Sequence, residues 1–424
     1  MKVLLVAPIE EGSGETITAI HVGEDLLRNG SKVMFLASGF ARKFIEARLP
    51  DLTVELGREG KQNLNLWHKV VNEFSPDALV FADYPFLFVP RGVAPLGKEP
   101  GWIEDLHTFQ GALITLDHFG FAQEEMGLFF GPPHLTPFYY HNFEAIPERM
   151  EILLPCPMHE PCFVAGRRGQ PFRYWDVPLT ISSDIRNEVR HRYLDDHSGF
   201  LLFHFVPHWA WQVAQMLHID LYRYLPELLD HYLGDLPKPV TVVSLNNGGL
   251  LDPAGAPRIN IVNLPPVSVS EFEALLLSSD MVITENRLSI SMGKAICGLQ
   301  NCMTLVNRQS RLDLLSSTDA VVQRVVSAME NQRLGSVYPF EVFPGGMADL
   351  LERIILYKNN SLTKAFCDIE IFGGERSAQM LRQALLDENL KADLHARQEH
   401  YVSNLAQLPR AAEVISQCVA ASRA

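Results

Sequence analysis

The segment Asp280–Gln300 constrains the fold of this chain more than any other part of the sequence. It begins with the apolar run Met281–Thr284, passes through a polar turn, and continues with the apolar spacing of a helix. A buried strand, a polar turn and a helix in this order are typical of α/β domains. Such a turn directs backbone N–H groups and the positive end of the helix toward one point, which favours an anion. The segment therefore predicts a parallel α/β domain with an anion site at the turn.

The same alternation of apolar strands and helices runs through most of the chain. Lys2–Ala7 is an apolar run of the kind that is buried on both faces of a parallel sheet. A glycine-bearing turn follows, and Ile17–Arg28 has the apolar spacing of a helix that Asn29 and Gly30 would end. Further strands are predicted over Lys32–Ala37, Leu52–Leu56, Ala78–Phe81, Gly111–Leu116, Gly199–Phe205, Val240–Leu245, Ile259–Val262 and Met303–Val306. This order predicts α/β, doubly wound, Rossmann-like sheets with right-handed crossovers.

Polar residues follow three of the strands predicted for the first half of the chain. They occupy the turns at Glu10–Glu15, Asp83–Tyr84 and Asp117–His118. In a doubly wound sheet, ligands bind beyond the carboxyl ends of the strands. The three turns are therefore expected to converge at one edge of the first sheet.

The length of 424 residues exceeds the size at which one hydrophobic core stops growing, so two domains are expected. Between about residues 130 and 177 the sequence is rich in Pro, Tyr, Phe and His, and repeated Pro disfavours regular elements. We therefore expect an N-terminal domain over 1–170, a C-terminal domain over 171–400, and a helix over 401–424 that packs on the N-terminal domain. Within the second domain, a helix over Trp209–Leu225 is expected to end at Pro226.

Composition and charge exclude several classes of protein. The formal net charge of −14, from 36 basic and 50 acidic side chains, argues against a nucleic-acid-binding surface. The first residues predict a strand rather than a signal peptide. No window approaches the ~20 apolar residues that a membrane-spanning helix needs. A cytoplasmic protein is therefore expected. The six cysteines do not form a secreted disulfide pattern. Cys156, His159 and Cys162 could ligate zinc, but a structural zinc normally has four ligands, so a Pro-rich loop is favoured and no metal is predicted.

The chain resembles the GT-B superfamily of nucleotide-sugar glycosyltransferases in the order of most of its elements. Gly12–Val22, the helix end at Gly30 and the strand Val33–Leu36 are similar to the Gly-Gly-His loop, the first helix and the second strand of MurG-like members. Phe272–Thr284 is similar to the helix and strand that approach the donor-binding turn of the family. The resemblance implies two Rossmann-like domains that face each other across a cleft. It also implies that the first domain binds the acceptor and the second binds the nucleotide sugar.

The donor-binding turn departs from the family pattern. Glu285, Asn286 and Arg287 stand where His-Gly-Gly is usual, and no acidic residue occupies the place of the ribose ligand. Arg287 could bind phosphate through two parallel hydrogen bonds, or it could be a solvated charge. The segment Phe203–Trp211 could bind the donor or form an aromatic plug between the domains. The candidate donor and phosphate ligands are Gly12, Gly14, His204, His208, Asn246, Glu285, Asn286, Arg287 and Ser289.

An inverting sugar transfer needs a base for the acceptor hydroxyl, and positive charge or N–H dipoles that stabilise the departing diphosphate. Glu15, beside a flexible pair of glycines, is one candidate for the base; the alternative is an acid favoured at a helix start by the dipole. Asp117 and His118 are further candidates, because an imidazole titrates near neutrality and a carboxylate can orient it. The alternative for this pair is ordinary loop polarity.

The sequence therefore predicts an inverting, metal-independent glycosyltransferase that moves a sugar from a nucleotide diphosphate to a small-molecule or cell-envelope acceptor. The nucleotide sugar is a substrate, and no separate cofactor is predicted. No Asp-x-Asp sequence is present to hold a divalent ion. A GT-B sugar-nucleotide epimerase or hydrolase is an alternative, as is a catalytically silent accessory protein, because the fold does not choose among them. The oligomeric state is open.

Overall fold

The computed structural model describes residues 1–9, 14–88, 96–118, 147–162, 169–194, 198–206, 211, 215, 220–246, 251–287, 289–309, 311–329 and 360–423. The chain divides into two compact units. The first contains the described residues of 1–176 and of 404–424, and the second contains those of 177–403. Among the described residues, no helix is both long enough and apolar enough to cross a membrane.

The first unit is built on a seven-stranded sheet in which all paired strands are parallel. Its strands are β1 (Lys2–Ala7), β2 (Lys32–Ser38), β3 (Thr53–Leu56), β4 (Ala78–Phe81), β5 (Ala112–Leu116), β6 (Glu151–Cys156) and β7 (Gln170–Arg173). Their order is β3-β2-β1-β4-β5-β6-β7. The direction of winding reverses between β1 and β4, where Val6 pairs with Phe81. This reversal is the place where ligands bind in doubly wound sheets.

Helices cover the strands of the first sheet, and their packing fixes where the polar turns lie. They are α1 (Gly14–Arg28), α2 (Gly39–Glu46), α3 (Gly60–Phe74) and α4 (Trp102–Thr108). A Cβ atom at Gly23 would lie 2.7 Å from the ring of Phe35, so glycine allows α1 to approach β2 closely. Ser38 caps α2, because its hydroxyl accepts a hydrogen bond from the N–H of Ala41 at 3.1 Å. α1 follows β1 in the chain, so its first turn lies at the carboxyl end of β1.

The second unit contains a six-stranded parallel sheet in the order β10-β9-β8-β11-β12-β13. Its strands are β8 (Phe200–Val206), β9 (Val240–Asn246), β10 (Asn260–Leu264), β11 (Met281–Thr284), β12 (Cys302–Val306) and β13 (Cys367–Glu370). Its helices are α5 (Ser183–Tyr193), α6 (Leu221–Leu233), α7 (Val269–Ser278), α8 (Ile290–Cys297), α9 (Arg311–Leu315), α10 (Ala320–Ala328) and α11 (Glu375–Leu386), followed by α12 (Glu388–Ala406). The winding reverses between β8 and β11, and β11 with α8 forms the strand and helix predicted for the segment Asp280–Gln300.

Two local expectations about proline are wrong. The Pro-rich segment was expected to lack regular elements, but it contributes β6 and β7, which include Pro155 and Pro171. β7 pairs with β6 on one side, and Pro155 lies beyond Leu153, the last residue of β6 that pairs with β5. Neither ring therefore interrupts the pairing of β5 with β6, and proline is tolerated at such edge positions.

The second wrong expectation is the helix end at Pro226. This residue is the sixth of α6, which begins at Leu221 and continues to Leu233. A proline inside a helix costs about 3 kcal/mol. The face of α6 beyond the proline buries Leu228, Leu229 and Tyr232, and each large apolar side chain contributes about 1.5–3 kcal/mol. Burial therefore outweighs the break in the helix.

The last helix of the chain, α13 (Ala411–Ser422), belongs to the first unit and packs against α1 and β5. The backbone N–H of Arg173 in β7 donates to the carbonyl of Pro409 at 3.0 Å. Asp25 of α1 is buried and accepts two hydrogen bonds from the start of α13. One comes from Nε of Arg410 at 2.8 Å, and the other from the N–H of Ala412 at 2.9 Å. One carboxylate thus fixes the C-terminal helix to the first helix.

Replacing Asp25 by Ala is expected to lower the free energy of unfolding of the first unit by about 1–3 kcal/mol. The change removes the acceptor of Nε of Arg410 and of the N–H of Ala412, and buried donors cost this much when unsatisfied. Urea denaturation of the full chain, followed by circular dichroism, measures the effect. The exposed Glu73→Gln is the matched control, since surface substitutions usually change stability by less than about 0.5 kcal/mol. Equal midpoints for the two variants would show that Asp25 does not hold α13.

Candidate functional site

Three acidic side chains lie buried at the carboxyl edge of the first sheet. Glu15 is in the first turn of α1, directly after the loop that follows β1. Asp83 follows β4, and Asp117 follows β5, so the three residues come from adjacent strands. The exposed fractions of Glu15, Asp83 and Asp117 are 7%, 1% and 3%. We call this group the carboxyl cluster.

The pKa of Asp83 is affected by both other acids of the carboxyl cluster. Burial raises the pKa of Asp83 well above its usual range, and the nearby charges of Asp117 and then Glu15 raise it further. Neither oxygen of the Asp83 side chain has a hydrogen-bond partner among the residues that the structure describes. A buried carboxylate without donors is strongly disfavoured, whereas the neutral acid is tolerated. The side chain of Asp83 therefore binds a proton far more readily than an ordinary aspartate.

Two histidines border the carboxyl cluster and differ in what they can do. Burial lowers the pKa of His118 to about 3, although the backbone of Ala82 opposes this effect. His118 is consequently neutral near pH 7 and a weak base. His159 is fully buried, and its Nε2 donates a hydrogen bond to the carbonyl of Asp117. The N–H of Asp117 donates to the carbonyl of Leu153 at 2.9 Å, so the backbone of Asp117 is held on both sides.

The bond from His159 also explains the segment Cys156–Cys162, which the sequence left open between a zinc site and a Pro-rich loop. One imidazole nitrogen in this segment contacts a backbone carbonyl. Within the described ranges, no group of three or more His, Cys, Asp or Glu side chains is arranged to hold a metal ion. The segment therefore contributes a positioning residue for Asp117.

In the second unit, three buried side chains form a hydrogen-bonded row across β9, β8 and the turn after β11. Nδ1 of His204 lies 2.9 Å from Oγ of Ser244, and Nε2 of His204 lies 2.9 Å from Oε1 of Glu285. The strands bring them together, because His204 pairs in register with Ser244 and with Ile283. We call these residues the buried relay. In the neutral imidazole, Nε2–H donates to the carboxylate and Nδ1 accepts from the hydroxyl.

Arg287 was predicted to bind phosphate or to be a solvated charge. In the structure its side chain is buried and forms an ion pair within the protein. Its Nη2 lies 3.3 Å from Oδ2 of Asp368 in β13. Its guanidinium also lies 5.3 Å from the ring centre of Phe366. The same carboxylate receives Nη2 of Arg308 and the hydroxyl of Thr304, each at 2.5 Å. Asp368 therefore neutralises the cation that the sequence assigned to phosphate.

The remaining residues of the turn after β11 also have partners within the second unit. The hydroxyl of Ser289 accepts a hydrogen bond from the N–H of Ser291 at 3.1 Å and so caps α8. The N–H of Asn286 donates to the hydroxyl of Thr284 at 3.2 Å. Lys294 is buried and forms an ion pair with a carboxylate of α7. These side chains are therefore engaged within the second unit, and the start of α8 is the part of the turn that suits an anion.

Several predicted site residues fall at the limits of what the structure describes. Gly14 is the first residue of α1. Gly12 and His208 lie outside the described residues. Asn246 is the last residue of β9, where it pairs with Val206, and only its backbone is described.

The sequence reasoning missed four residues of these two sites as individual members. Asp83 was visible only as part of a polar turn after a strand. Ser244 lies in a mostly apolar strand, and Asp368 lies in β13, a short strand that alternates polar and apolar residues and for which the sequence predicted no strand. His159 was weighed only as a metal ligand. None of the four contacts could be read from the sequence, because each depends on which strands become neighbours.

Comparison of the sequence with known families gives one match that covers nearly the whole chain. The sequence model of the "Family of unknown function (DUF6365)" matches residues 22–424. The chain belongs to the DUF6365 family. No curated protein sequence matches it significantly.

Solved structures show which fold this DUF6365 member has. It matches spinosyn rhamnosyltransferase SpnG with a TM-score of 0.55 and 12% identity, over 98% of this chain and 99% of that one. Glycosyltransferase VinC in complex with dTDP gives a TM-score of 0.54 and 11% identity, with 100% of both chains covered. HepE of Anabaena in complex with UDP-glucose gives a TM-score of 0.53 and 11% identity, over 100% of this chain and 99% of that one. The DUF6365 chain therefore has a divergent GT-B glycosyltransferase fold with two Rossmann-like domains, and that prediction is confirmed.

Proposed function

We propose that this DUF6365 protein is a glycosyltransferase that moves a sugar from a nucleoside diphosphate to a hydroxyl group of a small-molecule acceptor. The observation that carries the proposal is the carboxyl cluster at the switch point of the first sheet. Acid and base chemistry needs titratable groups with displaced pKa values in such a place. The fold supports the same reaction, since similar structures over the full length hold dTDP or UDP-glucose.

Glu15 is the base in this proposal. It lies in the first turn of α1, where the positive end of a helix favours negative charge. Asp117 has a fixed backbone and orients the acceptor, and His118 is too weak a base to compete. The proton of the acceptor hydroxyl passes to Glu15 while the acceptor oxygen bonds to the anomeric carbon. The bond from that carbon to the diphosphate breaks, and its electron pair leaves with the nucleoside diphosphate, so the transfer inverts the anomeric centre.

A second candidate function is a protein that binds a nucleotide or sugar without transferring it. The ion pairs of the turn after β11 favour this candidate. Asp368 offsets Arg287, a carboxylate of α7 offsets Lys294, and Glu285 places a further acid at the end of β11. A diphosphate carries negative charge, so a turn without excess positive charge binds it more weakly than an ordinary donor site.

Thermal denaturation with nucleotides tests both candidates. Thymidine, uridine, guanosine and cytidine diphosphates are each added at millimolar concentration. A diphosphate present at about 100 times its dissociation constant stabilises the folded state by about 2.7 kcal/mol, which raises Tm by several degrees. The matching nucleosides without phosphate are the controls. If no diphosphate shifts Tm, the nucleotide-sugar function and the nucleotide-binding alternative both lose their support.

Product release then separates the remaining possibilities. Incubation with dTDP-glucose and UDP-glucose, with and without a mixture of hydroxylated acceptors, reports on nucleoside diphosphate formation. Release that requires an acceptor supports the transferase. Release without an acceptor supports the hydrolase, and stabilisation without any release supports the binding protein.

A further inference from the structure

We propose that Asp83 is a neutral carboxylic acid in the folded protein and that its O–H donates a hydrogen bond to the acceptor hydroxyl whose proton Glu15 removes. This inference rests on the proposed function and extends it to the chemical class of the acceptor. It assigns Asp83 to binding and Glu15 to proton transfer, although both are buried acids in one cluster.

The geometry of the cluster supports this division. Asp83 is 1% exposed, and among the described residues no donor approaches either of its oxygens. The charged groups that act on it from neighbouring elements are Asp117 after β5 and Glu15 on α1. An ionised Asp83 would therefore be a buried charge beside two other acids, with no donor among the described residues to stabilise it. Like charges this close do not all ionise, so one acid keeps its proton.

The buried acid also has a cost that only a function explains. A protonated carboxyl group has one O–H donor, and a buried donor without a partner is unfavourable by itself. Buried titratable groups with displaced pKa values cluster at functional sites. Asp83 lies at the carboxyl end of β4, beside the point where the sheet reverses, and this is where a ligand is expected.

A neutral acid beside a carboxylate selects a hydroxyl group. A hydroxyl accepts one hydrogen bond and donates another, so it can bridge the O–H of Asp83 and the carboxylate of Glu15. An ammonium group only donates, and a phosphate or carboxylate only accepts. The cluster therefore favours a neutral alcohol at the reacting position over an amine or an acid.

The protonation state is tested first, without any substrate. Infrared difference spectra between the wild type and Asp83→Asn at pH 7 are expected to show the C=O band of a protonated carboxylic acid in the wild type. The pH dependence of stability gives a second readout. Because the folded pKa of Asp83 is raised, its contribution to stability is fully present below the unfolded pKa of about 4 and is lost as the pH rises.

Asp83→Asn removes this dependence, so the two proteins diverge with pH. From pH 4 upward, the unfolding constant of the wild type is expected to rise relative to that of the variant by up to about tenfold per pH unit. The divergence ends at the folded pKa of Asp83. If the ratio of the two unfolding constants is the same from pH 4 to pH 8, and the wild type shows no band of a protonated acid, the proposal is overturned.

The hydrogen-bonding role is tested by comparing two variants. The mixture of hydroxylated acceptors serves as the acceptor probe, with dTDP-glucose and UDP-glucose as donors, and nucleoside diphosphate release is measured. Asp83→Asn retains a donor and is expected to stay within about threefold of the wild type. Asp83→Leu has a similar size but no donor, and it is expected to lose about 10- to 100-fold in kcat/KM. An equal loss in both variants, with folding intact by circular dichroism, shows that the ionised carboxylate is needed and overturns the proposal.

The failure of this inference and that of the proposed function can be distinguished. If the wild type releases no nucleoside diphosphate from either donor but shows the acid band, the transfer chemistry and the acceptor role of Asp83 are both wrong, while its protonation stands. If release occurs without the acid band, the glycosyltransferase proposal survives and the neutral acid does not.

Discussion

Replacing Glu15 by Gln is expected to lower the rate of sugar transfer by about 10²- to 10⁴-fold, the usual contribution of a general base. Gln keeps the size of the side chain and its place in the first turn of α1, but it cannot take a proton. The effect should appear in kcat at saturating donor and acceptor, because the proton moves in the transition state and not on binding. Nucleoside diphosphate release is the measurement.

The control for this variant is Glu73→Gln, which makes the same chemical change at an exposed site on α3. It is expected to leave kcat within about twofold of the wild type. Asp117→Asn tests the competing assignment. Its expected loss is about tenfold, because Asp117 orients the acceptor without accepting the proton. If Asp117→Asn loses more than Glu15→Gln, then Asp117 is the base and the assignment made above is wrong.

Replacing His204 by Ala is expected to lower the free energy of unfolding of the second unit by about 3–5 kcal/mol, because it leaves buried hydrogen-bonding groups without their partner and opens a cavity. His204 is fully buried and contacts both Ser244 and Glu285 at 2.9 Å. Without the imidazole, a buried carboxylate loses its donor, and a cavity adds to the cost. Urea denaturation monitored by fluorescence and circular dichroism measures the change.

A double variant tests whether the loss of stability comes from the unpaired polar group that His204→Ala leaves behind. The double variant His204→Leu with Glu285→Leu removes the histidine and the carboxylate together, and it is expected to be more stable than His204→Ala. Apolar replacements of a buried pair are often neutral, whereas half of a pair is costly. If the double variant is the less stable of the two, or if His204→Ala costs under about 1 kcal/mol, the buried relay does not stabilise the second sheet.

The two α/β sheets could be predicted from sequence because their signal is local. Apolar runs such as Lys2–Ala7 and Met281–Thr284 are buried on both faces, and only a parallel sheet covered by helices hides them. Proline misled the prediction for the opposite reason. Whether a proline ends an element depends on what its neighbours bury, and α6 continues past Pro226 because Leu228 and Leu229 face the core.

The candidate site could be predicted only in part. The polar turns after β1, β4 and β5 were visible, so the gathering of Glu15 and Asp117 followed from topology alone. The state of each group did not follow, because a pKa depends on burial and on neighbours from other strands. The same holds for Arg287, whose partner Asp368 lies on β13, far away in the sequence. An arginine beside a helix start predicts an anion site only when no carboxylate of the protein occupies it first.

The attachment of α13 to the first unit determines when that unit can complete its folding during synthesis. Asp25 is made early, but Arg410 and Ala412 leave the ribosome only after residues 177–403 have been made. At about 5–20 residues per second, this interval is roughly tens of seconds. Throughout it, the surfaces of α1 and β5 that α13 covers stay open on the nascent chain. The second unit is therefore synthesised while the first is unfinished.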